Sequence, residues 1–154
     1  MELFLVQHGD ARPEQEDPTR PLSERGWKDV ERVAHAAARL DLRMDAIMHS
    51  GKLRARQTAE ILARELRPAR GCRDLTGLSP NDDPAIIGDM IAKGDKRPTM
   101  FVGHMPHLSR LASTLLVGDA GKELIAFRMG AIVHLEGDHS GWRLKWILTP
   151  ELVP

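Results

Sequence analysis

The sequence predicts an α/β fold, a three-layer α/β/α sandwich with a mostly parallel central sheet, formed as one domain over residues 1–154. Three observations predict it. Short apolar runs recur along the first two thirds of the chain, each ending abruptly at polar residues beside a glycine, as strands buried on both faces do. Stretches of helical periodicity separate them, and alternating strands and helices build parallel sheets covered on both sides. The chain then closes on two apolar segments joined by a turn, which suits an antiparallel pair at one edge of the sheet.

Taken in order, Leu3-Phe4-Leu5-Val6 is the first buried strand, stopped by Gln7-His8-Gly9. A polar pair at the carboxyl end of such a strand sits where open α/β sheets place their ligand sites. Ala11 to Pro21 is a polar loop carrying three prolines, long for a strand-to-helix connection and of the kind that carries function. Ser23 is placed to cap a helix starting at Glu24. Trp27, Val30, Val33, Ala34, Ala37 and Leu40 give that helix one apolar face. Asp45 to Ser50 reads as a second strand, and Lys52 to Leu66 as a second helix that Pro68 terminates.

Cys72 to Leu75 reads as a short edge strand, followed by a turn-rich run and a third helix over Pro84 to Ala92. Thr99 to Gly103 is another buried strand and also runs into a histidine, His104. Pro106 opens a fourth helix through Leu116. Leu124 to Phe127, Ala131 to Leu135 and Trp142 to Leu148 are the remaining apolar stretches, the last two paired across the turn from Gly137 to Gly141.

Composition narrows the function classes. Twenty-two basic residues balance 22 acidic ones, so the chain lacks the net basic face of a general nucleic-acid binder. No apolar stretch approaches the ~20 residues of a membrane span, and nothing at the N-terminus resembles a signal peptide. The single cysteine, Cys72, cannot form an internal disulfide and suits a reducing compartment. The expected localisation is cytoplasmic.

The strands ending at Gln7-His8-Gly9, Ser50-Gly51 and Gly103-His104 would place their carboxyl ends along one edge of a parallel sheet. His8, Arg54 and His104 then converge although they lie far apart in sequence. Two imidazoles and a guanidinium repel a cation and suit a phosphate, which arginine takes bidentately. Arg54 and Arg56 sit at the start of the second helix, where the helix dipole disfavours cations; an arginine there serves a bound anion beside the helix amides. His104 and His107 are three residues apart, but the helix opening at Pro106 argues against a metal site, and no cofactor is expected.

The chain resembles the histidine phosphatase (phosphoglycerate mutase-like) superfamily, and more narrowly its compact SixA-type phosphohistidine phosphatases. The resemblance rests on Leu3 to Ala11, on Arg20-Pro21-Leu22-Ser23, on Ser50-Gly51-Lys52-Leu53-Arg54-Ala55-Arg56-Gln57-Thr58, on Leu78-Ser79-Pro80 and on Val102-Gly103-His104-Met105-Pro106. These five motifs occur in the family's order and span nearly the whole chain. The resemblance implies a phosphoglycerate mutase-like fold and a metal-independent phosphatase with His8 as nucleophile. Arg54 and His104 would be its catalytic partners on the phosphate oxygens, and His8 would attack as a neutral imidazole.

Two departures shape the expected activity. The superfamily motif is Arg-His-Gly, and this chain has Gln7. An amide donates one hydrogen bond to phosphate but brings no charge, so Gln7 joins His8, Arg54, His104 and Arg20 as expected phosphate-binding residues, with Arg20 or Arg128 supplying the missing charge. The general acid that many members use is also absent from its usual place, where only Asp82 and Asp83 lie nearby, either of which is placed to cap the third helix. A site without a clear acid suits phosphohistidine, whose imidazole leaving group is weakly basic. The expected reaction is dephosphorylation of a phosphohistidine protein through phospho-His8. The alternatives are a phosphatase for a small phosphate ester and a weakly active or non-catalytic phospho-ligand sensor.

Overall fold

The computed structural model describes residues 1–154. Strand β1 (Glu2–Gln7) is followed by helix α1 (Glu24–Arg39), β2 (Ala46–His49), α2 (Leu53–Leu66), β3 (Cys72–Asp74) and α3 (Pro84–Lys93). Then come β4 (Thr99–Gly103), α4 (His107–Val117), the hairpin β5 (Ile132–Asp138) and β6 (Gly141–Leu148), and a closing 3-10 turn at Pro150–Leu152. The six strands form one sheet in the order β3-β2-β4-β1-β5-β6. The β1–β4, β2–β4 and β2–β3 pairs are parallel; β5 runs antiparallel to β1, and β6 to β5.

The apolar run of β1 has a direct physical reason. Side chains alternate across a strand, so Phe4 and Val6 face a core shared with α1 and α2, whereas Leu3 and Leu5 face a second core against α3 and α4. Both faces are covered, and all four residues are fully buried. The arrangement is the expected three-layer sandwich. No helix is long and apolar enough to cross a membrane.

The expected elements correspond to observed ones with end shifts of a residue or two, except that β5 runs three residues past Leu135 to Asp138 and that Leu124 to Phe127 forms no strand. Residues 122–128 have no regular structure, because β1 is already paired on both sides, by β4 and by β5. Only Met129 makes an isolated bridge, to Gln7.

Ser23 caps α1 by accepting from the Gly26 amide at 3.0 Å, and its hydroxyl donates to Asp10 Oδ2 at 2.6 Å. The cap therefore also ties the loop after β1 to the helix. That contact needs Gly26, since a Cβ there would lie 2.0 Å from the Asp10 carbonyl oxygen, a backbone atom that cannot rotate away. Gly26→Ala is expected to lower unfolding stability by on the order of 2 kcal/mol, read as a lower urea midpoint; an unchanged midpoint would contradict this packing.

Candidate active site

The sheet assembles the site before any side chain is considered. β1 and β4 run in parallel register, with Gln7 opposite Gly103, and the backbone amide of His8 donates to the Gly103 carbonyl at 3.0 Å. The next residue of each strand is a histidine. His8 and His104 follow Val6 and Val102 on the same side of the sheet, and their ring centroids are 5.0 Å apart. β2, on the far side of β4, pairs His49 with Val102, and the next residue, Ser50, has its Oγ 2.6 Å from His104 Nε2. Helix α2 starts three residues later and carries Arg54 in its first turn.

The hydrogen bonds of His8 decide its tautomer. Nδ1 lies 2.7 Å from the Gly9 carbonyl oxygen, and a carbonyl only accepts, so Nδ1 bears the proton and Nε2 keeps its lone pair. Burial is the largest influence on this imidazole and moves its pKa down to about 4; its Gly9 hydrogen bond opposes that, and the charges of Arg54 and Arg20 add to the lowering. His8 is therefore neutral at pH 7. The Gly9 amide in turn donates to Thr58 Oγ1 at 3.0 Å, and the Thr58 hydroxyl donates to the Arg54 carbonyl at 2.8 Å. Gln57 Oε1 accepts from the Leu22 amide at 2.7 Å, pinning the loop that carries Arg20.

His104 is also neutral, moved down to about 3 by burial first and then by His8, Arg54 and Lys52. Its Nε2 lies 2.6 Å from Ser50 Oγ. The Nε of Arg54 is buried without a partner in the protein, although buried donors are nearly always paired. α2 has no side-chain N-cap and no acidic residue in its first turn. An unpaired guanidinium nitrogen at an uncapped helix N-terminus forms a receptor for an anion.

The remaining candidate residues fall into four groups. Arg20 adopts a left-handed backbone at φ 48° and donates from Nε to the Arg12 carbonyl at 3.1 Å. Its charge acts on both His8 and Arg54 and, with burial, lowers the pKa of Arg54. Gln7 lines a cleft of about 430 Å³ with Asp10, Arg25, Arg32 and Arg128, among others; His8, Arg54 and His104 are not part of its walls. Arg128 lies 3.8 Å from Glu151 at the rim of the same cleft. The two carboxylates considered as acids are both engaged. Asp83 caps α3 by accepting from the Ala85 amide at 2.9 Å, and Asp82 accepts from the Ser79 amide at 3.0 Å. Arg56 pairs with Glu60 at 2.7 Å on the exposed side of α2. No group of three or more His, Cys, Asp and Glu side chains is arranged to hold a metal ion.

The profile of the histidine phosphatase superfamily (branch 1) matches residues 3–77, which carry His8, Arg20, Ser50 and Arg54. An uncharacterized protein of Picosynechococcus sp. is 34% identical over 139 residues, covering 86% of this chain and 83% of its relative. The chain belongs to the histidine phosphatase superfamily. This profile and the phosphohistidine phosphatase SixA of Escherichia coli, 24% identical over 97% of this chain and 94% of its relative, point to a phosphatase. Its fold matches that of the protein histidine phosphatase SixA complexed with tungstate, with a TM-score of 0.85 over 97% of both chains at 24% identity. The alpha-ribazole phosphatase from Shigella flexneri shares the fold with a TM-score of 0.80 over 97% of both chains at 13% identity.

Sequence reasoning assigned no role to Ser50, Gln57 or Thr58. All three lie in the motif from Ser50 to Thr58, and a polar residue recurring on the inner side of a helix otherwise facing a core was the available signal: Thr58 is fully buried.

The buried imidazoles make folding sensitive to acid. The ordinary histidine pKa is 6.5, against about 4 for His8 and about 3 for His104 in the folded protein. Burial also lowers those of His49, His107 and His134. Below pH 6.5 the unfolded chain takes up protons that the folded chain refuses, so this stability is complete above that pH and is lost on acidification toward the folded values. Urea midpoints are expected to fall between pH 7 and pH 5, with the ring resonances of His8 and His104 still those of neutral imidazole at pH 5. Protonation of either ring near pH 6.5 would contradict the burial argument.

Proposed function

We propose that the protein removes phosphate from a phosphohistidine side chain of another protein, by way of a phosphoryl group carried on His8. Nε2 of His8, with its lone pair free, attacks phosphorus. The P–N bond to the substrate imidazole breaks as the new one forms, and that imidazole, protonated at its other ring nitrogen, leaves neutral with the electron pair. Water then attacks phospho-His8, releasing inorganic phosphate and restoring the lone pair. Arg54 and Arg20 supply the positive charge that the oxygens need as negative charge develops on them, and His104 completes the polar wall. Arg20 takes the electrostatic place that Gln7 vacates.

The observation that carries the substrate class is the state of the carboxylates. Asp82 and Asp83 both hold backbone amides, and Asp10, whose charge acts on His8, accepts from Ser23. An alkoxide leaving group needs a proton donor. A phosphohistidine ring protonated at its other nitrogen releases neutral imidazole, whose conjugate acid has a pKa of about 6.5, and needs no further donor. The cytoplasm suits this reaction and the lone thiol Cys72. A small phosphate ester is the second reading, favoured by the cleft that Gln7 lines, which is of a size to hold the rest of such a molecule.

Purified protein is expected to release phosphate from a phosphohistidine peptide and much more slowly from a phosphoserine peptide. Turnover of the serine ester alone would transfer the assignment to the second reading. His8→Ala is expected to abolish turnover and the acid-labile phosphoenzyme with the fold intact; label retained in that variant would place the phosphoryl group elsewhere. Arg54→Ala is expected to lose about 2–4 kcal/mol of transition-state stabilisation.

Arg20→Gln removes one charge-assisted hydrogen bond, on the order of 1.5–3 kcal/mol, so vanadate affinity and kcat/KM are expected to fall about ten- to a hundred-and-fifty-fold. Gln7→Arg is expected to change kcat/KM less than about tenfold, because Arg20 already fills the electrostatic role. A gain near a hundredfold in that variant would instead mark the native protein as weakened by Gln7.

A further inference from the structure

Arg54 stands in the first turn of a helix that begins without a capping side chain, so its placement depends on the residues that join β2 to α2. Ser50, Gly51 and Lys52 form that connection. Packing does little to fix its middle. Gly51 is exposed, and a Cβ there would find only the Asp74 Cβ within 4 Å. Its backbone is left-handed, at φ 89°, a conformation that glycine adopts without strain but prefers no more than its other conformations.

What holds the turn is His49, the last residue of β2. The Gly51 amide donates to His49 Nδ1 at 3.0 Å. An amide nitrogen only donates, so Nδ1 is the acceptor and the ring proton sits on Nε2. Alternation along β2 puts His49 on the same side as Ile47, toward α2, and the residue is 6% exposed. Burial is the largest influence on its pKa and lowers it; Arg56 on α2 adds to the lowering, and Asp74 on β3 and Glu60 on α2 oppose it. A neutral ring keeps the Nδ1 lone pair. The contact runs from a side chain to the amide two residues on, the pattern by which asparagine builds turns. The other side-chain tie within the connection is longer, from the Lys52 amide to Ser50 Oγ at 3.3 Å.

We propose that His49 is a positioning residue for phosphoryl transfer: its bond to the Gly51 amide sets the turn from β2 into α2 and thereby the place of Arg54 against the phosphate. This rests on the phosphatase reading above. Lys52 follows Gly51 directly and accepts the Ala55 and Arg56 amides on its carbonyl at 3.0 and 2.9 Å. A shift of the turn therefore carries the first turn of α2 and Arg54 with it. The unpartnered Nε of Arg54 offers no contact within the protein that would restore its alignment.

Two substitutions separate positioning from packing. The Oδ1 of an asparagine stands where Nδ1 stands along the side chain and accepts the same amide, whereas a leucine fills the buried space and accepts nothing. Vanadate serves as the phosphate mimic and the phosphohistidine peptide as substrate. His49→Leu is expected to keep a urea midpoint at or above that of His49→Asn. It is nevertheless expected to lower vanadate affinity and kcat/KM more than about fivefold, the scale of one lost hydrogen bond, and up to the hundredfold that ~1 Å of misplacement costs. His49→Asn is expected to stay within about fivefold of wild type in both. A purely structural histidine would make activity follow the urea midpoint, and that ordering, or equal losses in both variants, overturns the proposal.

Ring nitrogen shifts of ¹⁵N-labelled wild type are expected to show His49 as the Nε2–H tautomer, with a coupling across the hydrogen bond between Nδ1 and the Gly51 amide nitrogen. The Nδ1–H tautomer overturns the assignment even if neither variant folds. Folded His49→Leu within about fivefold of wild type also overturns it and leaves the phosphatase reading standing. Wild type that neither binds vanadate nor turns over the peptide overturns that reading, and the role of His49 with it.

Discussion

The register of β1 against β4 is the constraint on which the site depends. Gln7 sits opposite Gly103, and the amide of His8 is held by the Gly103 carbonyl. Because side chains alternate strictly along a strand, a slip of one residue would send one imidazole to the face of the sheet covered by α1 and α2 and the other to the face covered by α3 and α4. Such a slip would also turn Phe4 and Val6 out of one core and Leu3 and Leu5 out of the other. The packing of two hydrophobic layers therefore enforces the proximity of His8 and His104. Chemistry at the sheet edge is stabilised by burial well away from it.

Around this pair, the protein keeps imidazoles neutral while placing guanidinium groups beside them. Burial is the largest influence lowering both rings, and Arg54 and Arg20 push His8 in the same direction. The two influences serve one end. A protonated His8 would have no lone pair on Nε2, and the positive charge suited to a phosphate is carried instead by groups that cannot lose it. The Gly9 carbonyl then decides which nitrogen keeps the lone pair, and Thr58 holds Gly9 in place from α2. α2 thus supplies both the unpartnered guanidinium nitrogen of Arg54 and the hydroxyl that positions the turn after β1.

The loop from Ala11 to Pro21 has a comparable double tether. Ser23 and Asp10 fix one end to α1, and Gln57 holds Leu22 from α2. Between them Arg20 adopts its left-handed backbone and brings a charge to bear on His8 and Arg54. In a chain with Gln7 at the end of β1, this loop carries electrostatics that the strand itself lacks.

Local composition determined much of this protein. Unbroken apolar runs specified strands buried on both faces, Ser23 and Asp83 were placed to cap helices and do so, and paired apolar segments marked the β5–β6 hairpin. Those features depend on neighbours in sequence, so they are visible there. The convergence of His8, Arg54 and His104 at one edge also followed, because parallel strands share a direction. Tertiary structure alone decided the rest. Leu124 to Phe127 is apolar like a strand but finds both sides of β1 occupied. Arg20 and Arg128 are equally charged in the sequence, yet Arg20 acts on His8, whereas Arg128 lies beside Glu151 at the cleft that Gln7 lines. Ser50, Gln57 and Thr58 took their partners from segments 54, 35 and 49 residues away. A hydrogen bond across such a separation depends on direction within a few tenths of an ångström, and that is set only when the layers pack.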